Sequence, residues 1–131
     1  MNYLKVDKIE GYSIITIESE VAEDMLFEQL FKQVIQEMED GRLNFIFNFE
    51  KIKDFHHSLY LKLNHINNVI LKEGGILVIA CFNAVNPELF NDLDIVSTKT
   101  VAEAGDYIIM EEIERQFMEV DEEETDEEME D

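Results

Sequence analysis

The stretch LNFIFNF at residues 43–49 decides how the chain folds, because aromatic and aliphatic residues fill most of it. Such a composition is typical of a central β-strand. A more polar loop follows at 50–57, and a helical pattern then runs from 58 to 72. The apolar face of that pattern consists of Leu59, Leu63, Ile66 and Ile70. The sequence therefore predicts a strand that leads through a loop into an amphipathic helix.

The next residues predict a second strand of the same sheet. Gly74 and Gly75 end the helical pattern, because glycine disfavours helix interiors and is common just beyond a helix. The run 76–82 is almost wholly aliphatic, as expected for a strand covered on both faces of a parallel sheet. Since a helix connects these two strands, their order indicates a βαβ unit.

Further elements complete an α/β fold. They are predicted to be a hairpin, a helix, a short helix, an edge strand and a last helix, at 3–17, 23–39, 86–93, 95–96 and from 100 onward. Gly11 suits the hairpin turn, and Pro87 suits the first position of a helix that Asn86 caps. The expected architecture is a mixed sheet of four to five strands with helices mainly on one face.

Composition and charge limit the class of protein. With 131 residues and 46% hydrophobic content, the chain can form one domain with a core. Its formal net charge of −21 repels phosphate backbones and anionic lipids, so neither nucleic acid nor a membrane is an expected partner. The chain shows no membrane-spanning run, no secretion signal and only one cysteine, Cys81. We therefore expect a cytoplasmic protein without disulfides.

Residue chemistry gives little support for catalysis, and we expect no enzyme and no cofactor. Cys81 lies in an aliphatic run, where a thiol usually serves as inert packing. The histidines are His56, His57 and His65, and their spacing from each other and from acids is unsuited to a metal. We therefore expect no metal site, while a small-ligand or metal sensor that uses the histidines stays an alternative.

The order and spacing of these elements resemble the STAS family, the anti-sigma-factor antagonists of bacteria, over roughly residues 3–107. The family usually carries Asp-Ser-Ser-Gly-Leu-Gly at the start of the second helix, and this motif falls on HHSLYL at 56–61. Ser58 matches the second serine of the motif. Only this serine is kept: the aspartate of the motif has become His56, its first serine His57, and its two glycines Leu59 and Leu61.

The resemblance implies a function for the motif. In the family, this serine is phosphorylated by a partner kinase that is also the anti-sigma factor, and the unmodified form binds that kinase. Ser58 is therefore the candidate phosphoacceptor, and the expected partner is an anti-sigma factor or a related kinase-like regulator. A phosphate there would lie near the positive end of the helix dipole. Alternatively, Ser58 is a plain N-cap of its helix or a contact residue that is never modified.

The loop and the first helical turn form the expected binding surface for this protein partner. We assign Leu59 to the core, because it lies on the apolar face of the helix. The expected partner-binding residues are Asp54, Phe55, His56, His57, Ser58, Tyr60 and Leu61.

The C-terminal part carries an apolar stripe and an acidic end. The stripe consists of Ile109, Ile113, Phe117 and Val120. It packs either on its own domain or against a second copy or another protein, so a homodimer and a structural or oligomerising subunit are alternatives. The segment 121–131 contains nine acids and no base, which predicts disorder. The expected division is a STAS-like domain at 1–107, an amphipathic helix at 108–120 and an acidic tail at 121–131.

Overall fold

The computed structural model describes residues 3–80, 90 and 92–130, so Cys81 and the predicted helix start at Asn86 and Pro87 lie outside the described residues. The strands are β1 (Leu4–Ile9), β2 (Tyr12–Ile17), β3 (Val21–Ala22), β4 (Asn44–Asn48), β5 (Asp54–Phe55), β6 (Ile76–Ala80) and β7 (Val96–Thr98). The long helices are α1 (Asp24–Glu39), α2 (Leu59–Lys72) and α3 (Val101–Glu130).

Five strands form one mixed sheet in the order β1-β2-β4-β6-β7. β1 and β2 are an antiparallel hairpin, and the remaining neighbours pair in parallel. β3 and β5 form a separate parallel pair. Parallel neighbours need crossover connections, which α1 supplies between β2 and β4 and α2 supplies between β4 and β6. The predicted α/β fold and its mixed sheet are confirmed, with β7 as the edge strand.

β4 lies in the middle of the sheet and is buried on both faces. Its register places Phe47 between Ile15 of β2 and Ile79 of β6. Phe45 and Phe47 belong to the core on one face, and Ile46 belongs to the core on the other. Because successive side chains of a strand point to opposite faces, a strand buried on both faces needs apolar residues at consecutive positions.

Helices cover both faces of the sheet, two on one face and one on the other. The buried side chains that α1 and α2 contribute to the larger core include Leu26, Leu30, Val34, Leu59, Leu63 and Ile70. α3 covers the opposite face, where Ala104 and Ile108 pack with Ile46 and Val78. Leu59 is fully buried, as predicted.

α3 runs without interruption through the segments that the sequence divides into a helix at 108–120 and a tail at 121–131. The helix continues to Glu130, while the sequence predicts a disordered tail at 121–131, and that tail stays a prediction. Once a helix has nucleated, each further residue adds a hydrogen bond, and glutamate is a good helix former. The division of the chain at 107 and 120 stays a prediction. Within the described ranges, no helix combines the length and apolarity needed to cross a membrane.

The chain passes from α2 to β6 through two glycines with different roles. Gly74 has a φ of +85°, and the Gly75 N–H donates to the Ile70 carbonyl at 2.9 Å, a helix ending that favours glycine. Gly75 lies directly against the backbone before β4, where an added Cβ would be 2.0 Å from the Leu43 carbonyl oxygen. No side chain fits at this position, so the close approach of two backbones requires Gly75.

We expect Gly75→Ala to lower the free energy of unfolding by about 3 kcal/mol, because the backbone must shift to admit a methyl group. Chemical denaturation of the full chain measures this loss. Gly41→Ala is the matched control, since Gly41 has a φ of +88° and open space around an added Cβ. Its cost should be about 1 kcal/mol. Equal stability of the two variants would contradict the close-approach argument.

Candidate functional site

Backbone hydrogen bonds hold the segment between β4 and α2 at the carboxyl edge of the parallel strands. The Phe49 N–H donates to the Ala80 carbonyl at 2.9 Å. The N–H groups of Lys53 and Asp54 both donate to the Glu20 carbonyl, at 2.7 and 3.0 Å. β5 then pairs with β3, so the predicted loop contains a short strand. These bonds fix the point at which the chain enters α2.

Two of the predicted partner-binding residues, Phe55 and Tyr60, are buried, which corrects the expectation that they form the surface. The Phe55 ring lies 5.8 Å from Phe27, 5.7 Å from Phe49 and 4.9 Å from Tyr60, between ring centroids. Tyr60 also packs against Phe90 at 5.4 Å. Aromatic pairs at such distances stabilise a core. Phe55 and Tyr60 therefore anchor the loop and the start of α2 to the core.

His56, His57 and Ser58 are exposed at the turn that precedes α2. The Ser58 Oγ lies 2.7 Å from the His56 Nδ1, and the Ser58 N–H also points to this nitrogen at 3.3 Å. Because both the hydroxyl and the N–H of Ser58 lie within donor distance of it, the His56 Nδ1 is best described as a hydrogen-bond acceptor. The Ser58 hydroxyl is then the donor. The serine hydroxyl is thus oriented by its neighbour and open to solvent.

Ser58 is not a side-chain cap of α2, which corrects that alternative. Its backbone is already helical, with φ −62° and ψ −17°, and its hydroxyl makes no capping bond. A capping serine normally has an extended backbone and accepts from an N–H inside the helix. Instead, the carbonyls of His56 and His57 accept from the N–H groups of Leu59 and Tyr60, at 3.0 and 3.3 Å. The hydroxyl is therefore free of a capping role.

The start of α1 lies beside this turn and adds residues that the sequence analysis missed. A shallow groove of about 370 Å³ lies between Glu23, Asp24 and Met25 on one side and His56 and Ser58 on the other. Parallel pairing of β3 with β5 brings these distant segments together. The sequence signal for the residues at the start of α1 is the predicted parallel order of the strands. Crossover helices between parallel strands begin at the same edge of the sheet, so the starts of α1 and α2 are expected to lie close together.

We use the name junction surface for a set of exposed residues at the start of α1, in the loop before α2 and in the first turn of α2. Its apolar members are Met25 and Leu61, whose exposed fractions are 72% and 70%. Asp24 pairs with Lys62 at 2.9 Å and so ties the starts of α1 and α2 together. The junction surface consists of Asp24, Met25, Asp54, His56, His57, Ser58 and Leu61. It combines apolar side chains, both signs of charge nearby and a hydroxyl, a mixture suited to contact with a protein.

An apolar groove of about 320 Å³ continues from Leu61 between α1 and α2. Its floor and walls include Phe27, Phe31 and Ile66. His65 belongs to this groove, where its ring lies 5.5 Å from that of Phe31, and not to the turn that carries the other histidines. In the part of the chain that the structure describes, no three histidine, cysteine or acidic side chains lie close enough to hold a metal ion.

A larger cleft of about 600 Å³ lies at the opposite edge of the sheet. Several of the polar side chains that line it are already hydrogen-bonded to other groups of the protein. Arg42 donates to the Ser13 hydroxyl and the Tyr12 carbonyl, both at 2.7 Å. Arg115 donates to the Gly74 carbonyl at 2.7 Å. Because these side chains already bind backbone and hydroxyl oxygens, the cleft is better explained as a structural joint than as a binding site.

Comparison with known proteins identifies the fold. No protein-family sequence model matches the chain, and no curated protein sequence gives a significant match. Among solved structures, TM1081 from Thermotoga maritima, described as an anti-sigma factor antagonist, is 13% identical with a TM-score of 0.64. The likeness covers 80% of this chain and 93% of that one.

Two further structures share the fold. The S58E variant of RsbS from Moorella thermoacetica is 11% identical with a TM-score of 0.65, over 87% of this chain and 99% of that one. The murine anion transporter Slc26a9 is 13% identical with a TM-score of 0.59, over 79% of this chain but 18% of that one. At these identities the likeness establishes the fold alone. The predicted STAS-like fold is confirmed.

We expect Phe55→Ala to lower the free energy of unfolding by about 3–4 kcal/mol, because it empties a buried aromatic site beneath the junction surface. Leu61→Ala is the control. This residue lies in the first turn of α2 and is largely exposed, so its replacement should change stability by less than about 0.5 kcal/mol. Urea denaturation of both variants measures the difference. A Phe55→Ala protein as stable as the wild type would contradict the burial of Phe55 and support its place on the binding surface.

Proposed function

We propose that this chain is a non-enzymatic protein-interaction module of a bacterial regulatory pathway, and that it binds its partner through the junction surface. The observation that carries the proposal is the exposed Ser58 hydroxyl, which lies 2.7 Å from the His56 Nδ1 and borders the same groove as the exposed side chain of Met25. The buried aromatic contacts of Phe55 and the backbone hydrogen bonds of the loop before α2 hold this surface in a fixed shape. Such preorganisation lowers the entropic cost of binding.

The mixture of side chains supports a protein as the ligand. Methionine and leucine at high exposure supply apolar area for a partner, and methionine adapts to irregular surfaces. The net charge of −21 argues against nucleic acid and anionic membranes as partners. The proposed setting is the cytoplasm. The two solved structures whose full length is matched, TM1081 and RsbS, support a regulatory class of protein.

The proposed partner is an anti-sigma factor or a related kinase-like regulator. TM1081 is described as an anti-sigma factor antagonist, and this description supports the choice. Ser58 is the proposed phosphoacceptor, because its hydroxyl is exposed and bonded to an imidazole nitrogen. A phosphate on Ser58 would add negative charge beside Glu23 and Asp24, which border the same groove. Like charges so close together would change the potential that a partner meets.

We expect Leu61→Asp to abolish capture of the partner, because it replaces an exposed apolar side chain of the junction surface with a charge. Tagged full-length protein is incubated with extract of its own cells, and the captured proteins are quantified by mass spectrometry. Leu71→Asp is the matched control, since Leu71 lies near the end of the same helix with an exposed fraction of 49%. A partner captured equally by both variants would exclude the junction surface as its binding site.

We expect Ser58→Asp to weaken binding of the captured partner by roughly tenfold or more, because it adds a charge at the phosphoacceptor position. Ser58→Ala should bind within about twofold of the wild type, since it removes only the hydroxyl. Titration calorimetry with the purified partner measures both affinities. Unchanged affinity of Ser58→Asp would end the proposal that phosphorylation controls this surface.

A further inference from the structure

The rotation of α3 about its own axis is fixed by contacts on one side. Ala104 and Ile108 are fully buried against the sheet. One turn further, the Glu112 carboxylate accepts a hydrogen bond from the Asn44 side-chain amide at 3.2 Å. Arg115 then donates to the Gly74 carbonyl at 2.7 Å. These contacts determine which side chains α3 presents to solvent.

An apolar stripe lies on the solvent side of α3. Ile109, Ile113 and Phe117 are centred roughly 140° around the helix from Ile108, at about 100° per residue. Their exposed fractions are 49%, 47% and 64%. We call these three residues and Met110 the outer stripe. Val120, which the sequence adds to the stripe, has its side chain outside the described part of the structure. Exposed apolar residues in a row of this length indicate a contact surface.

The outer stripe lies on a strongly acidic helix. The helix Val101–Glu130 contains 14 acidic residues and one basic residue, Arg115. Burial raises the pKa of Tyr107 above its ordinary value, and the carboxylates of Glu111 and Glu114 add to the increase. Arg115 is the one basic residue of this helix, and its single positive charge leaves a large excess of acidic residues.

The charge of α3 selects the chemistry of its partner. Two copies of α3 packed along their outer stripes would place two strongly acidic helices side by side, since 14 of the 30 residues of each helix are acidic. Like charges across an interface cost free energy and slow association. An apolar groove bordered by lysine and arginine satisfies both the stripe and the carboxylates of α3. Charge complementarity therefore favours a basic partner over a second copy.

We propose that α3 is a docking helix whose outer stripe enters an apolar groove of a second protein, with lysine and arginine side chains at the rim of that groove. This site does not depend on the proposed function. α3 covers the opposite face of the sheet from α2, and its stripe follows the helix toward the amino edge of the strands. The acidic residues beyond the stripe would attract the same basic rim and make association sensitive to salt.

A synthetic helical peptide of leucine and lysine with one apolar face is a probe for this surface. We expect fluorescence anisotropy to detect binding of the labelled peptide to the full-length protein, weaker at high salt. A double variant, Ile113→Ser with Phe117→Ser, should bind at least roughly tenfold more weakly, although its net charge is unchanged. A peptide of the same pattern with glutamate in place of lysine should not bind.

Leu71→Ser is the matched control for the loss of apolar area, because Leu71 is exposed to the same extent as Ile109 but lies on α2. It should bind the leucine–lysine peptide like the wild type, and circular dichroism should give equal helix content for all variants. Failure of the wild type to bind, or equal binding by the double variant, would overturn the proposal. A wild-type dimer that the double variant converts to monomer would also overturn it, in favour of a second copy.

Discussion

Burial of β4 and β6 on both faces is the constraint on which the rest of the structure depends. In β4, Phe47 faces the core beneath α1 and α2, while its neighbour Ile46 faces α3. A strand buried in this way must lie inside a sheet with helices on both sides, and parallel strands with helical crossovers provide that arrangement. The crossovers then bring the starts of α1 and α2 to one edge. The junction surface is a consequence of the sheet as much as of its own residues.

Local patterns predict most of the fold, and they fail where contacts between distant segments decide. The aromatic run at 43–49, the aliphatic run that gives β6 and the glycines after α2 are local signals, and each predicts its element. β5 has only two residues and exists because β3 pairs with it, which no local pattern encodes. The acidic composition of 121–131 predicts a disordered tail, which stays a prediction, while glutamate is also a good helix former in a helix that continues to Glu130.

The site could be predicted in position but not in the direction of its side chains. Ser58 and the adjacent histidines are polar residues between a strand and a helix, and they are exposed as expected. Phe55 lies in the same loop, but its ring packs against Phe27 on α1 and is therefore buried. Because Phe27 is 28 residues away from Phe55 along the chain, this contact and the exposed Met25 depend on tertiary structure alone.

The two proposed surfaces differ in the physical basis of recognition, and the sheet keeps them apart. The junction surface has a fixed shape, with Asp24 and Lys62 paired across its border, so fit and local charge at Ser58 decide its binding. The outer stripe is linear and lies on a helix whose 14 acids dominate its potential, so long-range attraction decides how fast a partner arrives. The two surfaces lie on helices that cover opposite faces of the sheet and share no residue, so we expect substitutions in them to act independently on the two proposed partners. On these proposals, a change of charge at Ser58 would release one partner while α3 still held the other.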